Sequence, residues 1–282
     1  MIEPPGSLPS PERLAEHLEA HAPRPVKPWA RHVPLGVIVA AVFVSLAVPA
    51  WWAAALPWAA LVGVVVYGSN RRQRQSAAST ATLYAQELGM LRHHRQALRT
   101  AWEVLPELIY RTDEHARTVG LIGHLLDTLG ADEAANVAYD FLLRRLSDGH
   151  PAALTLRLQK AANHFKADRL SDGDAELRRV RSAIKADEPG PIGAGYRAAR
   201  LLQSVSTHHS AEAIEELPEP IPALRPLGID AGLAYGLLAL AHRRAGNEDH
   251  AKQRWRDATC LVPAAELTRR FAPLGELTEA AA

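Results

Sequence analysis

Residues 33–67 form an uninterrupted run of 35 positions without a charged side chain. A membrane-spanning helix needs about 20 apolar residues, so this run is nearly long enough for two spans. Pro49 and Pro57 bracket its centre, and they predict two helices, about 33–49 and 52–68, joined by a tight turn. The sequence therefore predicts a transmembrane helical hairpin.

A signal peptide and a soluble hairpin both suit the apolar run less well. A cleavable signal peptide would be shorter, would begin closer to Met1 and would be followed by a cleavage-type site. A soluble hairpin that is apolar on every face would need a large protein around it. Each predicted span is about 26 Å long, which is short for a hydrocarbon core of about 30 Å. A re-entrant hairpin or a locally thinned bilayer stays open as the alternative.

Basic residues flank the hairpin on both sides, and its central turn carries no charge. The positive-inside rule then places both termini in the cytoplasm and the turn outside, in a membrane of the bacterial inner type. Tryptophans near the turn agree, because tryptophan favours the membrane interface. The basic flanking residues are Arg24, Lys27 and Arg31 before the run and Arg71, Arg72 and Arg74 after it, and the tryptophans are Trp51, Trp52 and Trp58.

The rest of the chain predicts helices, because alanine, leucine and arginine dominate and no convincing run of alternating polar and apolar residues occurs. The predicted fold class is all-α. Clusters of glycine, proline and aspartate predict loops between the helices. These loops fall at 129–132, 147–151, 171–174, 188–191, 218–226 and 246–247.

Five segments follow from these patterns. The proline-rich tail is predicted to be disordered except for a short helix to Ala20, with Ser10 as its N-cap and Pro11 at its first position. Pro106 predicts a break in the linker helices. The segments are the tail 1–28, the hairpin 29–70, amphipathic linker helices 76–115, a helical array 116–274 and a C-terminal tail 275–282.

Residues 234–263 carry small, aromatic and apolar side chains at intervals that suit two antiparallel helices rather than one. The spacing is similar to that of the tetratricopeptide repeat, a 34-residue unit of two helices. The residues that match are Tyr235, Leu238, Ala239, His242, Gly246, Asn247, Ala251, Trp255, Ala258 and Pro263. An earlier segment resembles the same unit at Ile122, Gly123, Leu126, Gly130, Ala135 and Tyr139.

The resemblance implies a right-handed superhelix of helix pairs, with more units between the two that match. Val119 and Tyr235 are 116 positions apart, which does not fit a 34-residue period, so irregular units or a related α-solenoid stay open. One middle unit would span 152–187 with Ala162, Phe165, Val180 and Ala183 in its core. The other would span 192–217 with Tyr196, Leu201, Ala213 and Leu217, and a last helix at 264–271 would cap the array.

By the same resemblance, the first helix of each pair would line a concave groove that binds a protein or peptide. Arg243 and Arg244 would meet a carboxylate or an acidic peptide there. The groove residues so implied are Arg117, Gly120, His124 and Asp127 in the early unit and Leu233, Gly236, Leu240, Arg243 and Arg244 in the late one.

Chemistry-bearing motifs are missing from the sequence. The formal net charge of +1 gives no case for nucleic-acid binding, and the single cysteine, Cys260, precludes an internal disulfide. Phosphate-binding, zinc-protease and serine-hydrolase motifs do not occur. We therefore expect no catalytic activity, no cofactor, no metal and no small-molecule substrate.

Three hypotheses about function follow. The first is a membrane-anchored scaffold whose partners are the lipid bilayer and an unidentified protein or peptide. The second is a structural subunit of a membrane complex, in which small residues of the spans, such as Gly36 and Gly63, pack against other transmembrane helices. The third and most remote is an enzyme whose site the sequence hides.

Overall fold

The computed structural model describes residues 8–24, 37, 56–185, 188–217 and 219–279. This part of the chain is all-α, as predicted, with 82% of residues in helices and no strands. Most of the predicted hairpin lies outside the described residues, which include only position 37 and positions 56–67 of the apolar run. The predicted tight turn between the two spans also lies outside them.

The first helix, α1 (Pro11–Ala20), begins as the sequence predicts. The Arg13 amide donates a hydrogen bond to Ser10 Oγ at 3.3 Å, and Pro11 occupies the first helical position. Leu14 and Leu18 are fully buried, and the ring of His17 stacks on Trp102 with 3.9 Å between centroids. Residues 8–24 of the predicted disordered tail are therefore ordered, because this helix has an apolar face to bury.

A 35-residue helix, α2 (Leu56–Met90), runs without interruption from the end of the apolar segment into the polar part of the chain. It turns back into α3 (His94–Val104), which ends in a 3-10 helix, Leu105–Leu108. Pro106 lies in that 3-10 helix, where the sequence predicts a break. Ala78 of α2 packs against Val104 and Leu108, so small side chains let the two helices approach closely.

The chain divides into two compact units, one formed mainly by His17–Leu121 and the other mainly by Ile122–Ala282. The second unit is built from helices that pack in sequential antiparallel pairs. In chain order the remaining helices are α4 (Thr112–Thr128), α5 (Asp132–Leu143), α6 (Pro151–Lys166), α7 (Leu170–Ala183), α8 (Gly190–Ser206), α9 (Ser210–Glu215), α10 (Pro220–Leu224), α11 (Ala231–Arg244), α12 (Glu248–Leu261), α13 (Ala264–Arg270) and α14 (Gly275–Glu279).

Five inter-helix turns share one geometry. In each turn a residue with positive φ is followed by a residue whose amide donates to the carbonyl five positions earlier, at 2.8 or 2.9 Å. This is the hydrogen bond of a Schellman motif, which satisfies a carbonyl at the end of a helix. The positive-φ residues are Arg92, Gly130, Asp168, His208 and Gly246, which are 38, 38, 40 and 38 positions apart.

The helical hairpins therefore recur at about 38 residues rather than at the 34 of the tetratricopeptide repeat. This regularity explains the misfit of the 34-residue period in the middle of the chain. Three of the five turns have arginine, aspartate or histidine where glycine is the usual residue, so no glycine marks them in the sequence. The loop predicted at 171–174 is wrong for this reason, since the turn precedes α7 and Gly173 lies inside that helix.

Glycines inside the helices mark close approaches between partners. A Cβ on Gly123 of α4 would lie 2.5 Å from Tyr139 Cε1 of α5, and a Cβ on Gly173 of α7 would lie 2.5 Å from Phe165 Cε1 of α6. Both rings are almost completely buried, so neither can move aside. Of the predicted middle cores, Phe165, Val180, Leu201, Ala213 and Leu217 are buried, but Ala183 at the end of α7 is exposed.

The C-terminal segment closes the second unit. The predicted capping helix is present as α13, and Leu274 beyond it is fully buried. The predicted tail 275–282 is wrong over 275–279, which form α14 and bury Leu277. Among the described residues one helical run, Pro220–Arg244, is long and apolar enough to cross a membrane. Of its most apolar 18 residues, 56% are buried inside the protein, so the apolar character of this run is equally well explained by a helix in the protein core.

Candidate functional site

A cavity of about 330 Å³ lies inside the second unit. The first helices of four successive hairpins line it, together with one residue of α13 and the 3-10 segment before α11. Each helix contributes residues spaced three or four apart, which is the spacing of a single helix face. The lining residues include His124 and Asp127 (α4), Thr155, Leu158, Gln159 and Ala162 (α6), Gly195, Ala198, Ala199 and Leu202 (α8), Leu233, Ala234 and Leu237 (α11) and Arg270 (α13).

The floor of the cavity is apolar, with leucines from α6, α8 and α11 that also belong to the main hydrophobic core. Small residues on α8, among them Gly195 and Ala198, leave the space that larger side chains would fill. A Cβ on Gly195 would lie 3.2 Å from Leu158 Cδ1, so the cavity wall is already in tight contact at that point. A cavity of this size with an apolar floor and few polar groups has the character of a ligand-binding site.

One end of the cavity is charged. The Lys166 ammonium of α6 donates to Asp127 Oδ1 at 2.5 Å and to Asp132 Oδ1 at 2.6 Å, and its side chain is only 5% exposed. A buried ammonium with two carboxylate partners is held in one place by charge-assisted hydrogen bonds. Lys166 thus fixes the ends of α4 and α5 against α6.

The pKa values of this group follow from burial and from the neighbouring charges. Burial works to raise the pKa of Asp127, but the Lys166 ammonium outweighs it with help from Arg270 and His124, so the pKa is lowered. Burial raises the pKa of Asp132, an effect that Lys166 opposes and Asp127 reinforces. Burial works to lower the pKa of Lys166, but the two carboxylates raise it. Asp127 and Lys166 are therefore both charged at neutral pH.

Arg270 ties α13 to the beginning of the array. Its Nη2 donates to Thr128 Oγ1 at 3.0 Å, and the guanidinium lies 3.5 Å from Glu266 and 3.9 Å from Asp230. Burial and nearby carboxylates, Asp127 first among them, raise the pKa of Tyr139 well above its usual range. The Tyr139 hydroxyl and Arg270 Nε are buried and make no hydrogen bond to any of the residues that the structure describes.

The structure brings together only some of the predicted groove residues. His124, Asp127 and Leu233 line the cavity. Arg117 is exposed, but it belongs to the first compact unit. Leu240 is completely buried in the main core and is not a lining residue.

The predicted basic pair of the late hairpin contacts the chain's own C-terminal segment. Arg244 Nη2 donates to Glu276 Oε1 at 2.8 Å and Nη1 donates to the Val205 carbonyl at 3.2 Å, while Arg243 donates to the Glu276 carbonyl. A Cβ on Gly236 would lie 3.2 Å from Leu274 Cδ1, so the same segment covers this face of α11. That these arginines bind an acidic partner stays a prediction.

Sequence reasoning missed the contributions of α6 and α8, which together supply half of the residues that line the cavity. The sequence held a sign of this wall, because Thr155, Gln159 and Ala162 recur at helical spacing and form a face of small and polar residues beside the apolar face of the same helix. No local pattern predicted the role of Arg270, because its hydrogen bond to Thr128 joins positions that are 142 residues apart.

No group of three or more metal-ligating side chains occurs within the described ranges. The cavity has an apolar floor, neutral polar groups and one charged end. In comparisons with known proteins, no family model, no curated protein and no solved structure matches this chain.

Proposed function

We propose that the protein is a membrane-anchored helical-repeat scaffold, and that its cavity binds an extended segment of a partner protein. The observation that carries the proposal is the cavity itself, which four successive hairpins line with their first helices. A stack of helical pairs presents such a surface because the first helices form its inner layer. The finer assignment, a tetratricopeptide-like superhelix, rests on the matching spacings in the early and late hairpins.

The membrane anchor is supported by the sequence of 33–67 and by the beginning of α2. Leu61, Val62, Val65, Val66 and Tyr67 are all exposed, and five apolar residues within seven helical positions point in every direction around the axis. A helix that is apolar on all sides and exposed except at the half-buried Val64 suits hydrocarbon better than water. Both termini would then be cytoplasmic by the distribution of basic residues.

Topology is tested with single cysteines in a Cys260→Ala background, because Cys260 is exposed and would react. Probes at Ser7, Ala54 and Ala281 are labelled in intact cells with a membrane-impermeant thiol reagent. The proposal expects label at Ala54 alone. Label at Ala281 would place the array outside the cell and contradict a cytoplasmic scaffold.

The binding role is tested by photo-crosslinking from inside the cavity. A photo-reactive amino acid is placed at Ala198 or Leu233, which line the cavity, and at Arg178 of α7, which is exposed and does not line it. We expect both cavity positions to capture the same protein and Arg178 to capture none of it. The purified partner is then titrated against the full chain by calorimetry.

A variant that fills the cavity supplies the decisive control. Ala198→Trp adds a large side chain at a partly exposed wall position, so it blocks the space without creating a void in the core. We expect at least about a tenfold loss of affinity, or about 1.4 kcal/mol. Unchanged affinity in this variant, with its fold intact by circular dichroism, would rule out the cavity as the binding site.

A further inference from the structure

The two helices of the α2–α3 hairpin have outer faces of opposite chemistry. The outer face of α3 is charged, and its Arg99 Nε lies 3.0 Å from Glu103 Oε1 in an exposed ion pair. The outer face of α2 carries Leu83 and Met90, which are 65% and 80% exposed. The face of α3 is that of a helix in water, whereas the face of α2 leaves large apolar side chains uncovered.

These exposed residues of α2 form one stripe, which we call the α2 stripe: Ser76, Thr80, Leu83, Glu87 and Met90. Their separations alternate between four and three residues, which is the pattern of a coiled-coil seam. All five are exposed, and the opposite side of the helix is buried. Tyr84, 48% exposed, and Leu91, 61% exposed, flank the stripe on one side.

The two hydroxyl-bearing members of the stripe can be buried without leaving unpaired groups. Ser76 Oγ donates to the Gln73 carbonyl at 2.9 Å, and Thr80 Oγ1 donates to the Ser76 carbonyl at 3.0 Å. Each hydroxyl is thus satisfied within its own helix, and covering it carries little desolvation cost. Both side chains are also small, which permits a second helix to approach closely.

A lipid surface does not fit this stripe. Helices that lie in the membrane interface carry lysine or arginine beside their apolar face. Residues 76–91 contain no lysine or arginine, and their one charge is the carboxylate of Glu87. Leu83 and Met90 also lie roughly 24 and 35 Å along the helix from Tyr67, where the all-round apolar stretch ends.

We infer that the α2 stripe pairs with the same stripe of a second copy in a parallel, in-register dimer. An almost uncharged face is complementary to itself, as a twofold interface requires. In each copy α2 runs without a break from the stripe, through the polar residues 68–75, to the exposed apolar stretch 61–67. Two copies aligned along that stretch run in the same direction, which selects the parallel arrangement.

Glu87 makes the register testable. In a parallel pairing it faces its own counterpart across the seam, so two like charges come together. Glu87→Gln removes this repulsion, and we expect it to tighten the dimer about tenfold. An antiparallel or shifted pairing would separate the two carboxylates, and the substitution would leave the dimer unchanged.

The experiment uses the full chain in membranes or mild detergent in the Cys260→Ala background. Single cysteines are placed at Leu83 and Met90 of the stripe and at Gln96, which is exposed on α3, and the samples are oxidised. We expect disulfide-linked dimers from Leu83→Cys and Met90→Cys and none from Gln96→Cys, because a disulfide needs Cβ atoms about 4 Å apart.

Mass measurement of the same preparations provides the second readout. Leu83→Asp places a charge at an exposed position, so the fold is kept and only the pairing is weakened. We expect wild-type dimers, monomers for Leu83→Asp and tighter dimers for Glu87→Gln by analytical ultracentrifugation. Three results would each overturn the inference: crosslinking at Gln96 equal to that at Leu83 and Met90, a monomeric wild type, or a Leu83→Asp variant that stays dimeric.

Discussion

The α4–α5 and α11–α12 hairpins are the early and late members of the array. They share one sequence pattern, but the first helix of each contacts different parts of the protein. Both carry glycine at their turns, and both were predicted to line the groove through their first helices. His124 and Asp127 of α4 do line the cavity. On α11, Gly236 lies against Leu274 of the C-terminal segment and Leu240 is buried in the core.

The difference shows that a hairpin is specified locally whereas its open face is not. Small residues, turn residues and caps act within about 30 positions of chain, which suffices to form two antiparallel helices. Whether the open face stays exposed depends on segments that are distant in the sequence. Glu276, for example, accepts a hydrogen bond from Arg244, which is 32 positions away. Four sets of substitutions would sharpen or break this comparison.

The largest effect is expected at the charged end of the early hairpin. Lys166→Met leaves Asp127 and Asp132 close together without their common cation, and we expect a loss of about 3 kcal/mol at neutral pH. Arg244→Met in the late hairpin removes a pair that is far more exposed, and it should cost at most about 1 kcal/mol. Urea unfolding followed by circular dichroism measures both, and similar losses for the two would contradict the comparison.

The glycines of the two hairpins should respond differently to alanine. In Gly123→Ala the new methyl would meet the buried Tyr139 ring at 2.5 Å, so we expect a loss of about 2 kcal/mol. Gly236→Ala meets a leucine methyl at 3.2 Å, and alanine's higher helix propensity of about 1 kcal/mol offsets that contact. Melting temperatures of the two variants would distinguish a rigid early contact from an adaptable late one.

Acid should weaken the array through Glu176 on α7. Burial works to raise the pKa of Glu176, but hydrogen bonding to Arg157 and the nearby charge of Lys160 lower it overall. A lowered pKa in the folded state contributes stability above the ordinary carboxyl range, and that stability is lost as pH falls through the lowered value. We expect the urea concentration at the midpoint of unfolding to decrease in the wild type once the pH falls below about 4. Glu176→Gln should flatten that drop, and an unchanged acid dependence would assign it to other groups.

The smallest effects are expected at the turns. His208 adopts a positive φ of 62°, which costs a non-glycine residue about 1 kcal/mol, so His208→Gly should stabilise by about 0.5 kcal/mol. Gly130→Ala at the early turn, where φ is 79°, should destabilise by about 1 kcal/mol. Opposite signs in thermal melts are the expected result, and equal signs would show that the shared turn geometry is not what matters.

The sequence alone predicted the helical class, the N-cap at Ser10 and the break at Pro106, because each depends on residues near in the chain. It predicted a 34-residue period where the turns recur at about 38, since three of them lack glycine. Ala183 was expected in the core and is exposed, because α7 ends there.

The tertiary structure alone decided which predicted groove residues meet. His124 and Asp127 face a cavity because α6, α8 and α11 supply its other walls. Arg270 joins them by a hydrogen bond to Thr128 across 142 positions. Local patterns determine helices and turns, since their hydrogen bonds and sterics act over a few residues. Burial, ion pairs and open surfaces depend on which distant segments come into contact.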